Sequence, residues 1–259
     1  MKKSIGINWI GLGTLVYQEI QRFVRVSVQT LVTPWISALL YVAVFGAIVG
    51  QGIADVKGVR YIDFVLPGIL TMSVIGAAFA HSSSSLYIQR FIRHIEELLV
   101  APLSHTEMIL GYVIGAVARG VVVGLGVLGI AVFFGAAHLS DLFIFLLYMI
   151  AISAVFGLVG VLVGLWANSF EQLSALNTFV IMPLSFLGGV FNSVDMLPES
   201  FQTIAQWNPF FYFVDGVRYS MIGISEGSMM LGGIMTAALI AVLWVGTFVL
   251  FERGWHLRA

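Results

Sequence analysis

The chain of 259 residues contains no cysteine, three lysines and only 10% charged residues. Without cysteine there is neither a disulfide framework nor a thiolate metal site. The lysines are Lys2, Lys3 and Lys57. None follows a glycine-rich turn, so the chain lacks the phosphate-cradling loop with which nucleotide hydrolases reach their substrate. Five histidines (His81, His94, His105, His138 and His256) are scattered without a His-x-x-x-His pair, which argues against a histidine metal site. No signal peptide is expected, because polar and charged residues interrupt the run after Met1-Lys2-Lys3. A net charge of −1 argues against nucleic acid as a partner.

What is present is apolar. Hydrophobic residues make up 59% of the chain and the mean hydropathy is +1.01. Soluble domains carry roughly 25% charged residues, so the solvent for most of this single domain (1–259) is lipid. A helix needs about 20 mostly apolar residues to cross a bilayer, and six stretches qualify: 28–50, 64–82, 107–134, 142–166, 172–191 and 230–250. The first contains Pro34 and the fifth Pro183. Each predicts a kink at which a neighbouring helix or side chain satisfies the freed carbonyl.

Lysine and arginine in the short loops set orientation. With an inside N-terminus, the cytoplasmic pieces hold Lys2, Lys3, Arg22, Arg25, Arg90, Arg93, Arg253 and Arg258. The outer pieces hold only Lys57, Arg60 and Arg218, among the acids Asp55, Asp63, Asp141, Asp195, Glu199, Asp215 and Glu226. Both termini are expected in the cytoplasm.

Two segments do not span. Over 7–25, Trp9, Leu12, Val16, Ile20, Phe23 and Val24 recur at helical spacing, with Gln18, Glu19, Gln21, Arg22 and Arg25 largely opposite. That pattern predicts an amphipathic helix in the inner interface, with an extension of the first span as the alternative. The stretch 192–229 is rich in aromatics yet broken by Pro198 and Asn208-Pro209. It reads either as short helices dipping in at the outer face, packed against protein, or as a plain interfacial aromatic belt.

Between spans two and three, Arg90-Phe91-Ile92-Arg93-His94-Ile95-Glu96-Glu97-Leu98-Leu99 is amphipathic, with Phe91, Ile95, Leu98 and Leu99 on one face, and Pro102 closes it. It is too polar to span but suited to lie in a partner's groove; a solvated interfacial helix is the plainer reading. Within the spans, Arg119 stands out. Insertion scales assign about +2.5 to +3.5 kcal/mol to such a residue at a helix centre, so it requires a partner. It serves either an anionic substrate group or gate, or a helix-locking bond to a carbonyl or to an acid such as Glu171. His81 with Ser82-Ser83-Ser84-Ser85 superficially suggests a nucleophile and base, but adjacent helical residues point about 100° apart, and a serine-rich helix exit is the better account. Asp215-Gly216-Val217-Arg218 lacks the further aspartates of a phosphotransferase metal motif. The pairs Gly111/Gly115, Gly120/Gly124 and Gly160/Gly164 predict close helix packing without specifying a dimer.

Taken together, an inner amphipathic helix before six spans, Arg90-x-x-Arg93-His94-x-Glu96-Glu97-Leu98-Leu99-x-Ala101-Pro102 after span two, and Asn208-Pro209 with Asp215-x-x-Arg218 after span five resemble the type-2 ABC exporter permeases. Gly111-Tyr112, Ala118-Arg119-Gly120, Leu187-Gly188-Gly189-Val190-Phe191 and Arg253-Gly254 extend the resemblance over essentially the whole chain. The resemblance implies an all-α permease of the bacterial inner membrane. It implies a homodimer bound to two copies of a separate ABC ATPase that holds ATP and magnesium, with no cofactor in this chain. The loop from Gln89 to Pro102 would then be the coupling helix, with Arg90, Phe91, Arg93, His94, Glu96, Glu97 and Pro102 as contacts. The 192–229 segment would form re-entrant helices at the exit, with Arg119, Asn208, Pro209, Asp215 and Arg218 as pathway or gate residues. Relatives of this kind move drugs, lipid-linked glycans, polysaccharides or signalling oligosaccharides. A membrane-embedded lipid-modifying enzyme, or an ATP-independent channel or scaffold, is the alternative.

Overall fold

A computed structural model describes residues 7–50, 52, 55–133 and 139–257. Lys2, Lys3, His138 and Arg258 lie outside the described residues. Within them the protein is helical, with no strand beyond an isolated bridge between Val56 and Val59. Helix α1 spans Trp9–Arg25, and Val26 (φ −116°, ψ 38°) breaks it from the next helix. Six helices are long and apolar enough to cross a membrane: α2 (Val28–Gly46), α3 (Tyr61–Phe91), α5 (His105–Phe133), α6 (Leu142–Trp166), α7 (Phe170–Leu187) and α10 (Met229–Glu252). The short α4 (Ile95–Val100) joins α3 to α5. Helices α8 (Glu199–Trp207) and α9 (Pro209–Ile222) lie between α7 and α10.

The third helix is the axle of the bundle. It runs well past the expected end at residue 82, because Ser82, Ser83 and Ser85 are buried between helices. The serine run is therefore an internal packing surface and not a helix exit. Gly160 and Gly164 of α6 lie against it: a Cβ on Gly160 would collide with the Ser82 Oγ and stand 2.7 Å from the Phe79 carbonyl, and one on Gly164 would stand 2.9 Å from the Ser83 carbonyl. Gly120 and Gly124 of α5 meet Ser153 and Met149 of α6, while Gly111 and Gly115 receive Leu15 and Glu19 of α1. All three glycine pairs thus act inside one chain, where they let backbones approach closely.

Burial is uneven. In the most apolar window of α3, 78% of residues are buried, against 11% in α2 and 17% in both α7 and α10. Two of the three proline-containing spans carry wide helical turns immediately before the proline, Val28–Val32 ahead of Pro34 and Asn177–Ile181 ahead of Pro183, whereas α3 contains Pro67 without one. A wide turn re-routes the carbonyls that the missing proline N–H would leave unpaired.

Candidate functional site

The connection between α3 and α5 is an exposed, partly polar feature beside an apolar bundle. The continuous amphipathic helix expected over Arg90–Leu99 is interrupted: α3 ends at Phe91, Arg93 takes φ 61°, and α4 begins at Ile95. Phe91 and Ile95 consequently do not share a face, since Ile95 is buried and Phe91 is exposed. Arg90 does not project outward either. Its guanidinium donates to the carbonyls of Gly164 (2.8 Å) and Ala167 (3.2 Å), so it caps the C-terminal end of α6. What remains outward is Phe91, Ile92, Arg93, Glu96, Glu97 and Val100, a patch of apolar and charged side chains of both signs. His94 Nδ1 and Glu97 Oε2 stand 3.1 Å apart at its edge. Pro102 is exposed and its carbonyl accepts from the Asn8 side chain at 3.2 Å.

That last bond belongs to a junction. Ser104 and Glu107 form a capping box at the start of α5, the Ser104 N–H donating to Glu107 Oε2 at 2.6 Å and the Glu107 N–H to Ser104 Oγ at 3.3 Å. The other Glu107 oxygen accepts the backbone N–H of Asn8, the residue that caps α1. Glu107 and Asn8 together therefore couple α1, the 89–102 connection and α5.

A second network lies between α1, α3 and α5. Glu19 is not on a solvated face: it is 1% exposed and accepts from Ser85 Oγ (2.7 Å) and Gln89 Nε2 (3.1 Å), with His81 Nε2 3.1 Å away. Tyr112 donates to Gln89 Oε1 at 2.6 Å. Arg22 donates to Ser84 Oγ at 3.0 Å, and burial pushes its guanidinium pKa down, against the opposing pull of Glu19 and Tyr112. Arg119 donates to the Thr30 carbonyl at 3.3 Å, not to Glu171, which is exposed. Thr30 lies four residues before Pro34, so Arg119 serves the carbonyl that the proline deprives of its helical donor. Its Nε has no partner.

The third cluster gathers the residues after α7. Asn208 caps α9, accepting from the Phe210 N–H (3.1 Å) and donating to the Leu184 carbonyl (2.7 Å), and Pro209 occupies the first helical position. Asp215 accepts from the N–H groups of Glu226 (2.6 Å) and Gly227 (3.1 Å) and from Ser225 Oγ (2.8 Å), holding the turn before α10. Arg218 is fully buried. It donates to the carbonyls of Gly189 (2.6 Å) and Phe64 (3.3 Å), stacks 3.9 Å above the Phe64 ring, and stands 3.6 Å from Glu226. Glu226 also accepts from Ser193 and from the Val194 N–H, and lies 3.3 Å from Lys57. Asp195, 2.8 Å from Lys57, raises that ammonium's pKa through their hydrogen bond.

Residues 11–222 match the family model described as ABC-2 type transporter. The chain belongs to the ABC-2 type transporter family. It is similar to the inner membrane transport permease YadH of Escherichia coli K12, at 38% identity over 253 residues covering 98% of this chain and 99% of YadH. It is also similar to nodulation protein J of Rhizobium leguminosarum bv. viciae, at 27% identity over 96% of this chain and 95% of that protein. Nodulation protein J of Rhizobium meliloti is 26% identical over 84% and 82%. As an ABC-2 family member with six apolar helices, the protein is the membrane permease subunit of an ABC transporter and works with an ABC ATPase.

For an ABC-2 permease the polar sites divide by what they touch. Arg90, Asn208, Asp215 and Arg218 are engaged within the chain, whereas Phe91, Glu96 and Glu97 face outward. Sequence reasoning passed over Glu107, although Ser104-His105-Thr106-Glu107 spells a capping box before an apolar run. It also passed over Glu226 and Gln89, for which no local signal exists, since their partners are 32 and 70 residues away.

Proposed function

We propose that the protein is the permease half of an ABC exporter. Two copies pair in the bacterial inner membrane with both termini in the cytoplasm, and two ATPases dock beneath them. ATP and its magnesium belong to the ATPase. The substrate is an amphiphile, such as a drug or a lipid-linked glycan. The observation that carries this reading is the outward patch of Phe91, Ile92, Arg93, Glu96, Glu97 and Val100 at the α3–α5 connection, whose apolar members cost free energy in water and whose charged members cost it in lipid. Such a patch fits a soluble partner's groove. Motion imposed there reaches the bundle by two routes: through α3 directly, and through Asn8–Glu107 to α1 and α5. ATP-dependent closure of the ATPases would then bias the permease to the extent that one conformation binds them more tightly. Pairing of two copies is supported by the low burial of α2 and α7, which flank α3 with apolar surface uncovered. The similarity to YadH supports the inner membrane.

The test is copurification in mild detergent. Tagged protein is expected to bring down a stoichiometric P-loop ATPase, and replacing both Glu96 and Glu97 with arginine is expected to abolish that while leaving the permease monodisperse. Each outward acid contributes mainly to association and register, so the double reversal is predicted to raise the dissociation constant about 100-fold or more. Unaltered capture by E96R/E97R would move the docking surface elsewhere.

A further inference from the structure

The cavity beside α1 holds more positive charge than the chain neutralises. It has a volume of 790 Å³ and includes Arg22, Arg25, Arg119, His81 and Glu19 in its wall. Glu19 is the sole carboxylate there, against three guanidiniums, and it is already engaged by Ser85, Gln89 and His81. No ion pair joins Arg22, Arg25 or Arg119 to any acid among the described residues. Arg22 and Arg119 instead each donate to one neutral oxygen, of Ser84 and Thr30, and the buried Nε of Arg119 has no acceptor. Uncompensated guanidiniums in a low-dielectric wall are costly, and the cost falls when an anion supplies the missing acceptors. The planar fork of arginine suits the oxygens of a phosphate or carboxylate in particular.

Two further features give the anion a direction. Arg119 also lines a second cavity of 250 Å³, bounded by Pro34, Tyr41, Met72, Ser73 and Phe191, so one guanidinium stands at the boundary of both spaces. The rim of the first cavity is amphipathic: Tyr17 and Val26 expose apolar surface beside the exposed Gln18, Arg25 and Gln29, as suits a headgroup interface.

We propose that this cavity is an oxyanion site, in which Arg22, Arg25 and Arg119 hold a phosphate-type group of the transported molecule before it passes Arg119 into the second cavity. The inference rests on the reading of the chain as the substrate-carrying subunit and narrows its substrate to an anionic amphiphile. His81 lies at the back of the site, and Glu19, Arg22 and Arg119 are the charged groups facing it; no protonation step is required for binding.

The experiment uses the full chain in nanodiscs of phosphatidylcholine, without ATPase. Binding of a fluorescent phosphatidic acid is measured by anisotropy against phosphatidylcholine carrying the same labelled chain, with sodium pyrophosphate as a soluble competitor. Phosphatidic acid is expected to bind about tenfold or more tightly than phosphatidylcholine. R119Q, R22Q and the exposed R25Q are each expected to lose about three- to tenfold, the scale of one charge-assisted contact, whereas R119K, which keeps the charge without the fork, loses less than R119Q. Resistance of the bound lipid to pyrophosphate assigns the anion to a membrane headgroup. Displacement by pyrophosphate, with saturation, assigns it to a soluble phosphate; both support the oxyanion site. Equal binding of the two lipids with no effect of pyrophosphate overturns it, as does unchanged binding in R25Q and in variants at Arg22 and Arg119 that melt like the parent. ATPase capture by the same preparations separates the two readings: if capture persists while binding fails, the permease assignment stands and the anion site falls.

Discussion

Replacing Arg218 with methionine is expected to cost about 3–5 kcal/mol of stability, the range for removing one partner of a buried charge pair. The guanidinium is completely enclosed, and it joins three parts of the chain that are distant in sequence: Phe64 at the start of α3, Gly189 in the turn after α7, and Glu226 before α10. Without it, the Gly189 carbonyl loses its donor, and Glu226 keeps Lys57, Ser193 and the Val194 N–H but loses a buried cation. Lysine is not a substitute, because a single ammonium cannot address two carbonyls and an aromatic face from one position as the planar fork does. The double variant R218M/E226Q is expected to regain part of the loss, since it removes a buried charge that has lost one of its two cations. Thermal unfolding in detergent, followed by intrinsic fluorescence, measures all three. An R218M protein that melts with the parent would show that the network is idle.

Substitution of Gly160 is the second large effect. Its Cβ position meets the Phe79 carbonyl at 2.7 Å and the Ser83 N–H nitrogen at 3.0 Å, and these backbone atoms cannot rotate aside as the Ser82 hydroxyl can. Even alanine must push α6 from α3, the most extensively packed helix pair in the chain. Overpacking of this size costs about 1–3 kcal/mol. Leucine is expected to prevent accumulation of folded protein altogether. Gly129 is the internal control: nothing lies within 4 Å of its Cβ position, so G129A should be neutral or slightly stabilising through its better helix propensity. Size-exclusion profiles of G160A, G160L and G129A check the series. A monodisperse G160L would mean that α3 and α6 do not meet as described.

The sequence made the lipid environment, the six apolar helices and the family legible, because those depend on run length and on motifs that recur together. It also pointed to the right kind of partner for Arg119: a carbonyl four residues before Pro34 is chemically conspicuous once both are noticed, although nothing in the sequence pairs α5 with α2. Glu19 was misplaced for a physical reason. Periodicity separates an apolar from a polar face, but α1 packs a mixed face onto Gly111 and Gly115, where the two glycines leave room for a carboxylate and its donors from α3. Arg90 and Arg93 were read alike as contacts; Arg90, in the last turn of α3, reaches the end of α6, while Arg93, at the break, is exposed. The pairing of Arg90 with carbonyls 74 and 77 residues away has no local signal.

Engagement of an ATPase at the α3–α5 connection, on the cytoplasmic end of the bundle, is tested most directly by photo-crosslinking in the intact complex, with a benzophenone side chain placed singly at Phe91, Glu97 or Val100, and at Asp195 in the outer cluster as the contrasting position. Crosslinks to the ATPase from the first three sites and none from Asp195 are predicted. Crosslinks from Asp195, or none from Phe91, Glu97 and Val100 in a complex that still copurifies, would contradict it.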